Sequence, residues 1–135
     1  MVNYRPSTAR GPFRVQAILG AALLLCVAAG VGVVAQTKRD FNVSAKKFRF
    51  TVSGTDAQEI RVSQDDLVRI TLSSEDIPHS FTLPDYRIQK RVEPGREVIF
   101  EFRAEKVGRF EFYCSMTSDG CRERGMVGAL IVVAR

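Results

Sequence analysis

Histidine is nearly absent from this sequence: His79 is the one imidazole in 135 residues. A catalytic zinc site therefore lacks its usual ligands, and no convincing nucleophile partners His79 in a catalytic triad. Those absences weigh against an enzyme. The chain has no internal repeat and no low-complexity tract, which excludes a repeat architecture. Acids are missing from residues 1–14, and all charge is missing from residues 15–35. Beyond that run no segment reads as a helix, so a helical bundle is excluded. Basic residues are not clustered with aromatics. The formal charge of +5, from 20 basic and 15 acidic residues, reads as a solvated surface and gives no nucleic-acid interface. Such a surface can still steer an acidic protein partner.

What is present divides the chain. Residues 1–14 form a basic segment with Arg5, Arg10 and Arg14. Residues 15–35 are apolar, and about twenty helical residues span a hydrocarbon core of roughly 30 Å. The arginines hold the N-terminus inside, so the sequence predicts a single-pass membrane protein whose remainder lies outside the cytoplasm, periplasmic or extracellular. The length of the run favours an uncleaved anchor. Val33-Val34-Ala35 before Gln36 also has the small-residue pattern of a signal-peptide cleavage site, and cleavage after Ala35 gives a secreted protein. Cys26 lies inside this run and reads as a bystander. Residues 36–40 form a polar linker, and residues 41–135 a single domain.

In that domain the apolar period becomes two. Phe48, Phe50 and Val52 share a face, as do His79, Phe81 and Leu83, then Val98, Phe100 and Phe102, then Phe110, Phe112 and Cys114. Turn signals at 53–56, 64–66, 73–76 and 93–96 separate the runs. Seven or eight short strands at this spacing predict an all-β domain, an antiparallel sandwich or barrel.

Cys114, Cys121 and Met126 supply soft sulfur donors in the last loop. Alternation points the Cys114 sulfur inward at the end of its strand, and His79 begins another inward series. The two strand ends are therefore expected to meet at one pole. Taken singly each residue has a plain explanation: a loop histidine, a core methionine, and two cysteines closing a disulfide ring. Together, one imidazole, two thiols and a thioether suggest a copper site. Asp119 and Glu123 read as solvated loop charges.

The order of these residues resembles the cupredoxins, and within them the copper-binding domain of cytochrome c oxidase subunit II. The likeness covers roughly residues 75–133. It is carried by Asp76-Ile-Pro-His79-Ser-Phe-Thr-Leu-Pro84, by Pro94-Gly95-Arg96, by Phe110-Glu-Phe-Tyr-Cys114 and by Met126-Val-Gly128-Ala-Leu-Ile-Val-Val133. It implies a Greek-key β-sandwich after the N-terminal helix. The metal loop departs from the family. Ser118 stands where the second cysteine of a dinuclear site would fall, and no histidine follows His79. Cys121, five residues before Met126, stands where the mononuclear pattern has its second histidine.

The resemblance therefore implies a mononuclear, not dinuclear, copper site of His79, Cys114, Cys121 and Met126. Soft donors of this kind favour Cu(I). The function it implies is that of a membrane-anchored copper protein in electron transfer or in copper holding and delivery. It would meet a redox or copper-trafficking protein partner, and at most be accessory to an oxidase. The competing expectation is a metal-free binding or structural module on the same scaffold, with a Cys114–Cys121 disulfide.

Overall fold

The computed structural model describes residues 36–53 and 58–135. The anchor or signal helix expected at 15–35, the basic segment before it and the turn residues 54–57 lie outside the described residues. Among the described residues no helix is long and apolar enough to cross a membrane.

The described residues form nine strands in order: β1 Lys38–Lys46, β2 Arg49–Val52, β3 Glu59–Ser63, β4 Leu67–Ser74, β5 His79–Leu83, β6 Ile88–Val92, β7 Glu97–Arg103, β8 Gly108–Tyr113 and β9 Val127–Val133. One turn of 3₁₀ helix, Pro84–Tyr86, links β5 to β6. The strands form two sheets, ordered β2-β1-β4-β7 and β3-β9-β8-β5-β6. Alternation explains the layering. In β4, Val68, Ile70, Leu72 and Ser74 are buried while their neighbours are half exposed, so one face of the strand turns to the core.

The core between the sheets is aromatic. Phe81 and Phe112 stack with centroids 4.6 Å apart, and Phe50 meets Phe112 edge-on at 5.3 Å. Full burial of one such ring contributes about 1.5–3 kcal/mol. An exposed ion pair such as Arg109–Glu59 or Arg91–Glu93 contributes about 0–1 kcal/mol. The core therefore outweighs the many surface pairs. Gly128 in β9 is needed for close approach. A Cβ there would lie 2.3 Å from the Phe112 ring and 2.6 Å from the Gln58 carbonyl oxygen.

Three features differ from the sequence reading. β1 begins at Lys38, inside the stretch read as linker. It pairs with β2 on one side and, from Lys38↔Leu67 to Ala45↔Ser74, with β4 on the other. Backbone pairing needs no apolar side chain, so Lys38 and Arg39 carry no apolar signal of their strand. β6 carries no apolar alternation in the sequence, because its central residues Gln89, Lys90 and Arg91 are all polar, and all three are exposed. It pairs with β5 at the rim of its sheet, where charge discourages further pairing. Finally, β1–β4 and β3–β9 are parallel, while the other pairings are antiparallel. Side-chain alternation is the same in both kinds of ladder and cannot tell them apart.

Candidate metal centre

Two strand ends and a loop build the site. β5 begins at His79, directly after Ile77-Pro78. β8 ends at Tyr113, one residue before Cys114. Thr82 pairs with Tyr113, and extending that antiparallel register sets Ser80 across from Ser115. The loop from Cys114 to Met126 then folds over the pole through successive turns. Gly120 and Gly125 adopt φ of 58° and 90°, a region open to glycine at little cost. The main chain of Met126 closes the loop. Its N–H donates to the Cys121 carbonyl at 3.0 Å, and its carbonyl accepts from the Cys114 N–H at 3.2 Å.

His79, Cys114 and Cys121 come together as expected, and all three are fully buried. Their donor atoms lie within 4.8 Å of one another. The His79 Nδ1 is 3.9 Å from the Cys114 Sγ and 3.9 Å from the Cys121 Sγ. Donors held about 2.0 Å (nitrogen) and 2.3 Å (sulfur) from one ion, as at zinc, stand roughly this far apart when widely spread around it. The three atoms thus fit a single soft cation. Both cysteines are free thiols. Met126 is fully buried in the hydrophobic core cluster that also contains Cys114 and Cys121. Asp119 and Glu123 are not brought into the site. Both line an outer groove with Lys47 and Arg124, and Glu123 also lines a small cavity beside Cys114.

The surroundings fix the donors. The His79 Nε2 bonds the Asp76 Oδ1 at 2.8 Å. With Nε2–H donating to the carboxylate, the Nδ1 lone pair faces the two sulfurs. An outer carboxylate of this kind sets the tautomer and orientation of a ligand histidine. Partial burial raises the Asp76 carboxyl. The Lys47 N–H, His79 and the Ile77 N–H bond it and more than offset that, holding it at about 2. Cys121 is shifted the other way. Burial, then the adjacent Cys114 sulfur, push its thiol up to about 12. The metal-free pocket thus disfavours a thiolate at Cys121, whose charge a bound cation would compensate.

Ser80 holds Cys114 from two sides. Its N–H donates to the Cys114 Sγ at 3.5 Å, and its Oγ accepts from the Ser115 N–H at 2.7 Å. The Thr82 hydroxyl donates to the Ser115 Oγ at 3.0 Å. This explains why β5 is buried on both faces. The sequence reading missed Asp76, Ser80 and Ser115 as supports. A signal for Asp76 was present, an acid three residues before the one histidine. Ser80 and Ser115 carried none, because nothing in their spacing shows that they meet.

The profile of the cupredoxin-like domain matches residues 16–132. Among solved structures, the periplasmic domain of subunit II of cytochrome oxidase from Bradyrhizobium japonicum is similar over 75% of this chain and 88% of its own. Identity is 23% and the TM-score 0.62. A chain of a heme-copper terminal oxidase dimer matches 73% of this chain at 20% identity, with a TM-score of 0.65. This chain spans 65% of that one, just under two thirds. The blue copper oxidase of Nitrosomonas europaea matches 73% of this chain at 22% identity and a TM-score of 0.60, with 39% of its own length covered. At such identities the likeness is one of fold.

Proposed function

This chain belongs to the cupredoxin-like domain family, and we propose that it holds one copper ion at His79, Cys114, Cys121 and Met126. The carrying observation is the convergence of one imidazole nitrogen and two free thiol sulfurs, all buried, within 4.8 Å. Copper would supply reversible soft-ligand binding and one-electron chemistry there. In this reading Cys114 is the anchoring thiolate and His79 the nitrogen ligand. Cys121 is the second thiolate and Met126 a weak thioether. Two thiolates and a thioether favour Cu(I) over harder divalent ions, so holding and delivering copper is the first reading. Residues 15–35 would tether the domain to the membrane, outside the cytoplasm, within reach of a redox or copper-trafficking partner.

Electron transfer is the second reading. It is supported by the Ser80 N–H on the Cys114 sulfur, since hydrogen bonds to a ligand sulfur are one means by which a protein tunes a metal's reduction potential. The blue copper oxidase and the copper nitrite reductase of Nitrosomonas europaea that share the fold are also redox proteins by name.

The test is to purify the full chain from copper-fed cells under reducing conditions and record metal content and the visible spectrum, with Cys114→Ser as control. One copper per chain, lost in the variant, is the expected result. A colourless Cu(I) protein points to holding and delivery, and an intense sulfur-to-Cu(II) band to electron transfer. A fully reduced protein that binds no copper overturns the proposal and leaves a metal-free module.

A further inference from the structure

The four proposed ligands are all fully buried, so an ion needs a way in. Three larger cavities, of 530, 430 and 340 Å³, have none of the four in their walls. A smaller cavity of 180 Å³ does. Cys114 lines it, together with Tyr113, Met116, Arg122 and Glu123. Met116 is the fourth sulfur side chain of the loop, beside Cys114, Cys121 and Met126, and is set between the two cysteines in sequence. Unlike Met126 it is only partly buried, packed against the core at the edge of this cavity. Arg122 does not present an uncompensated charge at the rim. Its guanidinium lies 4.0 Å over the Tyr113 ring and bonds the Glu111 carboxylate at 2.9 Å.

We infer that this cavity is the path by which Cu(I) reaches Cys114, and that Met116 is the first protein ligand it meets. The inference rests on the copper reading above. A thioether is neutral and binds Cu(I) without losing a proton. It can accept the ion from a donor complex before either thiol is deprotonated. Ligand exchange then passes Cu(I) inward to Cys114, Cys121 and His79. The copper stays Cu(I) throughout, the thiol protons go to solvent buffer, and the donor keeps its own ligands. Met116 contributes to the rate of uptake and not to the final site.

The test mixes the reduced full chain, in detergent, with the coloured Cu(I)–bicinchoninate complex and follows loss of its absorbance by stopped flow. Equilibrium partition is read from the same traces. Met116→Leu keeps the side chain's bulk and removes the sulfur. It is expected to take up copper about tenfold more slowly, as for the loss of one weak ligand in the uptake transition state, with the partition at equilibrium unchanged. Met126→Leu is expected to shift the partition. Circular dichroism shows whether each variant is folded, and Met116→Ile serves if the leucine variant is not. Wild-type rates in the Met116 variants overturn the inference. So does a parallel fall in rate and partition, which would make Met116 a resident ligand. A wild-type protein that takes no Cu(I) from the complex overturns the copper reading itself.

Discussion

At the scale of single residues the decisive contact is Asp76 with His79. The carboxylate bonds Nε2 at 2.8 Å and leaves Nδ1 toward the sulfurs, so the ring needs no reorientation to accept a metal. Losing an outer-shell partner of this kind costs about 10–100-fold in metal affinity. Asp76→Ala is therefore expected to weaken copper binding by that order in a chelator competition. Asp76→Asn, which keeps an acceptor oxygen, should fall between the variant and wild type. Nitrogen NMR of the His79 ring separates positioning from general destabilisation: the Nε2–H tautomer should dominate in wild type and be lost in the alanine variant. Unchanged affinity in Asp76→Ala would show that the ring is held by packing alone.

At the scale of elements, β9 matters as much as the loop it follows. Gly128 lets β9 pass beneath the Phe112 ring, two residues after Met126 closes the loop. In Gly128→Ala the new methyl meets ring carbons at 2.3 and 2.4 Å and the Gln58 carbonyl oxygen at 2.6 Å. The ring cannot yield freely, because Phe112 is stacked on Phe81 and flanked by Phe50. Overpacking of this kind costs about 3 kcal/mol. With about 4–8 °C per kcal/mol for a domain near this size, the metal-free melting temperature should fall by more than about 10 °C. A melt within a degree or two of wild type would mean that the sheet spreads there at little cost. Because Met126 directly precedes β9, the same variant should also weaken copper binding.

At the scale of the whole molecule the proposal concerns placement. An apolar run behind three arginines should make the full chain sediment with membranes and resist an alkaline carbonate wash. A chain starting at Gln36 should stay in the supernatant. Full-length protein released by the wash would contradict the anchor, and a product beginning at Gln36 in the wild-type preparation would identify a cleaved signal. The proposed copper site belongs to the other end of the chain, and its proposed ligands all fall within residues 79–126. The measurements on placement and on metal therefore test separate claims.

The sequence by itself determined the all-β class, most of the strands and the inward direction of His79, Phe81, Phe112 and Cys114. Period-two burial is written directly in side-chain polarity. It also displayed the order of histidine, cysteines and methionine that marks the family. It did not display β6 or the start of β1, because backbone pairing at exposed, charged positions has no polarity signature. Nor did it display the parallel pairings, since alternation is blind to strand direction. Only the tertiary structure decided that His79, 35 residues before Cys114, lies within a few ångströms of both thiols. Only it recruited Asp76, Ser80 and Ser115 as supports and left Asp119 and Glu123 outside. Those outcomes depend on strand register and on how the loop folds back. Both are set by contacts between residues far apart in the chain, which local pattern does not encode.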